Sequence, residues 1–311
     1  MEINEVTFDF YKSIFKNTIH RFNSSEFNVL NSSKCENVYY LVFKDSKVRL
    51  GIILGVRDNV LNSPFSSSFG GFEACRNDIK IHQIDESLDL LKKWSLENEF
   101  NGIRIIQAPV FYDNNFSVKL SNCLYRAGFN LKNSEINYHF DTSQFGDNYL
   151  NLIWPNARNK LNQSFTNSLT FNKISADKGK LAYDIIKRNR EERGFPLRLS
   201  YDQIKETETV IPIDYFLVSD NDQIVASALV FHLSTNIVRV VYWGDLPEFS
   251  NYKTMNFLSY NIFKYYTEIG IDFIDIGHST VDSIPNHGLC EFKESIGCNL
   301  SILNEYYLTN L

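Results

Sequence analysis

The chain nearly repeats itself over a long period. Gly102-Ile103-Arg104-Ile105-Ile106-Gln107 reads like Gly270-Ile271-Asp272-Phe273-Ile274-Asp275. Further on, Gly128-Phe129-Asn130-Leu131 reads like Gly297-Cys298-Asn299-Leu300, and Tyr138 follows the first block as Tyr307 follows the second. The offset is 168 residues for the first match and 169 for the others, so one single-residue slip separates them. A period this long signals two copies of one domain. Two copies create a cleft between domains, and such clefts are favoured binding positions.

Bulk properties agree with that size. The 311 residues give room for two ordinary domains, and the repeat divides them into 1–145 and 146–311. The composition, 43% apolar and 22% charged, is that of a globular chain able to build its own core. A formal net charge of -6 argues against DNA as a partner, which demands a basic face. A local basic patch is still compatible. Lys187-Arg188-Asn189-Arg190 with Arg193 and Arg198 is the candidate, and its plainer reading is a solvated helix face.

The five cysteines, Cys35, Cys75, Cys123, Cys290 and Cys298, are scattered and never spaced Cys-x-x-Cys. That usage suits free thiols in a reducing compartment. The start, Met1-Glu2-Ile3-Asn4-Glu5, lacks an apolar signal core. The longest aliphatic run, Leu50 to Val56, is far short of a membrane span. The expectation is a cytoplasmic protein with no transmembrane segment.

Periodicity supplies the elements. Phe8, Tyr11, Ile14 and Phe15 share one helical face. Val38 to Phe43 and Val48 to Val56 form a hairpin about a polar turn. A helix follows from Ile84 to Glu99 with Asp85 as N-cap, then a buried strand Ile103 to Ala108. Next come a helix from Ser117 to Ala127 stopped by Gly128, and a strand Glu135 to Phe140. Asp141 to Tyr149 is a polar connector, and Trp154 to Phe165 is a helix with Pro155 in its first turn. The second copy then repeats the order. Tyr215 to Ser219 and Ile224 to Leu233 make a hairpin, and Val238 to Trp243 a strand. Met255, Leu258, Ile262, Tyr265 and Ile269 mark an amphipathic helix ended by Gly270. Phe273 to Ile276, a helix Glu291 to Ile296, and Ser301 to Leu308 complete it. Each half reads hairpin, strand, helix, strand, helix, strand. That order implies an α/β (α+β) fold with a mixed sheet flanked by helices.

This order, taken twice, resembles a tandem GNAT acyltransferase. The C-terminal residues sharpen the resemblance. Ile274-Asp275-Ile276-Gly277-His278-Ser279, then Asn286-His287-Gly288-Leu289-Cys290-Glu291-Phe292-Lys293-Glu294-Ser295-Ile296-Gly297, then Tyr306-Tyr307, resembles the closing signature of FemAB-like proteins. The Phe292-Lys293 pair matches the helical Phe-Lys pair of that family. Ser63-Pro64-Phe65 with Gly70-Gly71 also resembles bacterial members. The resemblance spans nearly the whole chain. It implies two tandem GNAT-like domains, each with a mostly antiparallel sheet, and transfer of an acyl or aminoacyl group to an amine in the interdomain cleft. FemAB-like enzymes are typified by peptidyltransferases that extend peptidoglycan bridges from aminoacyl-tRNA. The implied acceptor is a small molecule or muropeptide-like cell-wall precursor, a peptide or an amino sugar.

One departure separates the chain from ordinary GNAT enzymes. Their pyrophosphate loop is glycine-rich and holds acyl-CoA at a helix N-terminus. Here that place reads Trp243-Gly244-Asp245-Leu246-Pro247-Glu248, and Asp245 and Glu248 would repel phosphates. The donor is therefore either aminoacyl-tRNA or acyl-CoA, with the loop leaning away from CoA and the net charge slightly away from tRNA.

Acyl transfer to an amine passes through an oxyanion that a positioned cation stabilises. Within the resemblance Lys293 supplies that cation and Phe292 shapes a dry pocket. The alternative is a surface lysine on the face opposite Phe292 and Ile296. Asp275, set in an apolar strand, is either a general base with a raised pKa or a paired structural carboxylate. Ser279, Asn286 and His278 line the same edge. Tyr242 and Trp243 end a strand, where they either stack on substrate or fill the core. Gly70 and Gly71 either approach a phosphate or make a tight bend. His278, His287 and Cys290 fit no compact zinc spacing, so no metal is expected. Two further readings stay open: a CoA-dependent N-acetyltransferase with an atypical loop, and an inactive relative that only binds sugar or peptide.

Overall fold

The structure is a computed structural model that describes residues 1–146 and 148–309. Asp147, inside the polar connector, and the last two residues lie outside the described residues. In chain order the first elements are β1 (Glu2–Glu5), α1 (Phe8–Ile14), α2 (Ser25–Leu30), β2 (Val38–Lys44), β3 (Val48–Arg57), β4 (Val60–Ser63) and β5 (Phe72–Ala74). Then come α3 (Ile81–Glu97), β6 (Gly102–Ile106), α4 (Asn114–Arg126) and β7 (Asn130–Asp141). The chain continues through α5 (Tyr149–Leu152), α6 (Pro155–Ser164), β8 (Leu169–Ile174), α7 (Gly179–Arg193), α8 (Tyr201–Glu208), β9 (Ile213–Asp220), β10 (Gln223–His232) and β11 (Ile237–Asp245). It closes with α9 (Thr254–Glu268), β12 (Phe273–His278), β13 (Thr280–Val281), β14 (Ile284–Pro285), α10 (His287–Ser295) and β15 (Asn299–Thr309).

The chain forms two compact units. One comprises Met1–Ile136, Thr280–Ile284 and Ser301–Leu311; the other comprises Asn137–Ser279 and Pro285–Leu300. They interleave along the sequence, where the repeat suggested one division at 145/146. Strand pairing gives the reason. In the first unit β6 takes β15 as its antiparallel neighbour, with Tyr307 opposite Arg104. In the second unit β12 takes β7, with Asp275 opposite His139. β7 is thus divided between the units at residues 136/137, and all but the first two residues of β15 belong to the first unit.

In the first unit the order is β1-β2-β3-β4-β6-β15, with β5 also on β3. The parallel step from β4 to β6 is made by α3, whose Ile84, Leu88 and Leu91 recur at spacings of four and three and are fully buried. α4 adds Phe116, Leu120, Cys123 and Leu124 to the same core against Leu50, Ile52, Leu54 and Ile103. Each large side chain removed from water contributes about 1.5–3 kcal/mol. Asp85 is not the cap of α3. The helix starts four residues earlier, where the Gln83 side chain accepts from the Lys80 N–H at 3.1 Å. Asp85 instead accepts from Arg126 of α4 at 2.6 Å.

In the second unit the order is β7-β12-β11-β10-β9-β8. All neighbours are antiparallel except β11 and β12, which α9 connects. The buried stripe of α9 is Phe257, Leu258, Ile262, Phe263 and Tyr266, rotated from the expected one, so Ile269 is half exposed. The aromatic ring of Phe263 stacks on Phe140 of β7, centroids 4.0 Å apart. That contact fixes α9 across the sheet.

Candidate functional site

The parallel strands β11 and β12 align over only three residue pairs, ending with Arg239 opposite Asp275. Beyond that pair β11 runs on to Asp245 with β10 beside it. β12 does not follow. Its pairing with β7 shifts register between Asp275 and Gly277, and Gly277 is left-handed at φ 79°. A left-handed residue rotates its neighbours' carbonyls out of strict alternation, and only glycine does so without strain.

Lys293 fills the place so made. It lies on α10, buried with 2% exposure, rather than on the solvent face. Its ammonium donates to three consecutive carbonyls, those of Ile276 (3.2 Å), Gly277 (2.8 Å) and His278 (3.3 Å). It also sits 5.2 Å from the ring centroid of Tyr138. Tyr138 donates its hydroxyl proton to Glu294 at 2.9 Å. Burial pulls the Lys293 pKa down to about 7, and the Arg239 charge adds to the fall against the opposing Cys298, Asp275 and Cys290.

Asp275 is fully buried and held from three sides. It accepts from Asn137 Nδ2 at 3.1 Å, from the Gly277 N–H at 2.9 Å, and from the Arg239 guanidinium. These donors already engage both oxygens of the carboxylate. The general-base reading does not fit this geometry, and the paired alternative does.

The other sequence candidates fall into two groups. Near Lys293, the exposed His278 contributes its carbonyl to the cradle. Ser279 is buried, and its carbonyl accepts from the Asn286 N–H at 2.9 Å. The Asn286 side chain caps α10 by accepting from the Leu289 N–H at 3.1 Å. Phe292 meets Trp243 of β11 edge to face, centroids 6.0 Å apart. Tyr242 belongs elsewhere, because successive strand residues point to opposite faces. Its hydroxyl accepts from the Leu199 N–H at 3.2 Å, and Arg190 of α7 lies 5.7 Å from its ring centroid.

Gly70 and Gly71 lie in the other compact unit and make a bend. The Gly70 N–H donates to the Ile106 carbonyl at 2.8 Å, and the Gly71 N–H to Ser63 Oγ at 2.9 Å. A Cβ on Gly70 would stand 3.0 Å from the Pro64 nitrogen. Both amides are therefore used internally. Cys290 is a buried thiol directed at the Ser279 carbonyl. Among the described residues no group of three His, Cys, Asp or Glu side chains could hold a metal ion.

The segment where a CoA loop would lie is closed by its own side chains. Asp245 is buried and accepts from Thr254 Oγ1 at 2.6 Å, at the first turn of α9, and from Arg193 at 3.0 Å. Glu248 accepts from Arg188 at 2.6 Å. The basic run on α7 is therefore more than a solvated face: two of its arginines tie α7 to this segment. Arg190 is partly buried against Tyr242 and Phe195, and burial lowers its pKa.

The sequence reading missed Arg239, Asn137, Tyr138 and Gly277 as parts of this arrangement. A signal existed for Arg239. It interrupts the apolar run Ile237-Val238-Arg239-Val240-Val241 as Asp275 interrupts Phe273-Ile274-Asp275-Ile276, and buried charges of opposite sign call for each other.

No family model matches the chain, and no curated protein matches its sequence. Solved structures do. FemX superposes with a TM-score of 0.71 at 14% identity, covering 100% of this chain and 98% of that one. L-PGS from Bacillus licheniformis superposes with a TM-score of 0.60 at 12% identity, covering 99% and 94%. At such identities the likeness speaks to the fold. The mixed, mostly antiparallel strand order flanked by helices, matched along the full length, gives this chain the fold of FemX.

Proposed function

We propose that this protein transfers an acyl group, first of all an aminoacyl group, from an activated ester to an amine. The observation that carries the reading is the buried ammonium of Lys293, bonded to the carbonyls of β12 just past the point where β11 and β12 separate. A positive charge held in a low-dielectric place is worth far more to a developing oxyanion than one in water. Its three backbone bonds hold it in place before reaction, and one of them is exchanged for the oxyanion as charge develops.

The step balances simply. The acceptor nitrogen forms a bond to the donor carbonyl carbon, and the carbonyl oxygen takes the negative charge. The ester C–O bond then breaks, and the proton lost by the amine goes to the leaving hydroxyl. The whole can run on positioning and charge, without a protein base.

Aminoacyl-tRNA is favoured over acyl-CoA as donor. The Asp245 carboxylate accepts from the Thr254 hydroxyl in the first turn of α9, which puts negative charge where a pyrophosphate would bind. The acceptor class is an amine on a muropeptide-like cell-wall precursor, a peptide or an amino sugar. Arg190 and the exposed Arg198, beside Tyr242, are candidates to hold a diphosphate-linked acceptor. The test is incubation with charged tRNA and a UDP-linked muropeptide, read by mass spectrometry. An acceptor heavier by one aminoacyl residue supports the reading. Acetyl transfer from acetyl-CoA in its place refutes the choice of donor.

A further inference from the structure

We propose that Asp275 and Arg239 are positioning residues for Lys293: Asp275 sets the left-handed turn at Gly277 that aims three carbonyls at the ammonium, and Arg239 sets Asp275. This deepens the transfer reading and rests on it for its catalytic meaning. The geometry forms a chain of contacts. The Arg239 guanidinium and Asn137 Nδ2 hold the Asp275 carboxylate. The carboxylate takes the Gly277 N–H at 2.9 Å. Gly277 turns at φ 79°, and the carbonyls of residues 276, 277 and 278 converge on Lys293 Nζ.

None of these links is open to replacement by water, because Asp275, Arg239, Asn137 and Lys293 are each at most 7% exposed by side chain or whole residue. A cradle of carbonyls favours the charged form of an amine, while burial and the nearby guanidinium disfavour it. Arg239 and Asp275 therefore act on Lys293 in opposite senses. The charged and titratable groups facing Lys293 are Asp275 and Arg239 from the sheet, Tyr138 from β7, with Glu294 of α10 behind its hydroxyl, Cys290 from α10, and Cys298 beyond it. Of these only Asp275 both touches the turn and carries full charge against the guanidinium. Its role is separable from bulk packing for that reason.

The experiment titrates Lys293 directly. The full chain is labelled with ε-13C-lysine, and the Lys293 resonance is assigned by its loss in Lys293→Met. The wild-type midpoint is expected near 7. Asp275→Asn keeps an acceptor for the Gly277 N–H but loses the charge. It should lower the midpoint by at least about one pH unit, a tenfold fall in proton affinity. Arg239→Gln should raise it. Gly277→Ala, which disturbs the turn and presses a Cβ to 3.2 Å from Arg239 Nη2 but adds or removes no charge, should lower it.

Should Asp275→Asn fail to fold, Arg239→Gln and Gly277→Ala carry the test. A midpoint unchanged from wild type in the folded variants overturns the proposal. The titration needs neither donor nor acceptor. Failure of the transfer assay therefore leaves this result standing, and a failed titration leaves the transfer reading to its own assay.

Discussion

Arg239 and Asp275 are the last aligned residues of β11 and β12, and their side chains form a buried ion pair at the point where the two strands part. Each residue breaks an apolar strand. Removing either partner strands a charge in the interior, at a cost of about 3–5 kcal/mol. Arg239→Met alone should therefore destabilise strongly in chemical denaturation. Arg239→Met with Asp275→Leu should recover most of the loss. A double variant as unstable as the sum of the singles would contradict this account of the pair.

Lys293 makes stability depend on pH in a defined direction. Its folded value, about 7, lies below the ordinary 10.5, so the unfolded chain takes up the proton first as pH falls. The contribution is favourable above 10.5 and is lost as pH falls toward 7. The slope is at most about 1.4 kcal/mol per pH unit. Lys293→Met should gain on the wild type as pH drops from 10 to about 7 and hold that gain below, in urea unfolding at matched ionic strength. A difference that stays flat with pH would show that the ammonium is not desolvated.

Glu73 of β5 gives a second, independent pH dependence in the first unit. It is buried, and burial pushes its pKa up to about 8 although Ile19 N–H (2.7 Å) and Asn23 Nδ2 (3.2 Å) donate to it. The folded value is raised, so its contribution is full below about 4.5 and is lost as pH rises to about 8. Glu73→Gln should remove that loss and leave the variant relatively more stable at pH 8 than at pH 4.5. A constant difference between the two proteins would count against a buried, proton-binding Glu73.

Two glycines of the same region should respond oppositely to alanine. At Gly277, φ is 79° and a Cβ would stand 3.2 Å from Arg239 Nη2. A left-handed L-residue costs roughly 1–2 kcal/mol before that contact is counted. Gly288 lies inside α10 with φ in the ordinary range, and its Cβ would meet nothing nearer than 3.8 Å. Gly288→Ala should be neutral or gain roughly 0.5–1 kcal/mol. Thermal unfolding of the two variants checks the contrast.

Donor choice is tested by calorimetry. Asp245 sets a buried carboxylate against Thr254 at the start of α9, where a pyrophosphate would meet like charge. Titration with acetyl-CoA to millimolar concentration should give no saturable heat. A saturable isotherm would revive the CoA-dependent reading.

The sequence was informative wherever one period dominated. The hairpin of β2 and β3, the helix α9, the buried strand β12 and the C-terminal part of α10 follow from local patterns, while Lys293 stands out only through the family resemblance. The fold shared with FemX follows from the repeat and the Phe292-Lys293 neighbourhood. What stayed hidden depends on distance along the chain. Arg239 and Asp275 lie in strands that α9 separates, and Asn137 comes from β7. No local period reports such pairings. The pairing of β7 with β12 and of β15 with β6 is hidden for the same reason. Gly277 was readable only as a glycine; its left-handed turn needs the register shift against β7 to be seen.

The most direct measurement is aminoacyl transfer by the purified chain from charged tRNA to a UDP-linked muropeptide, compared between wild type and Lys293→Met. The account predicts an acceptor gaining one aminoacyl residue, with the rate falling at least about a hundredfold in the variant. Transfer at an undiminished rate in a folded Lys293→Met protein, or no transfer by the wild type from any charged tRNA, would contradict it.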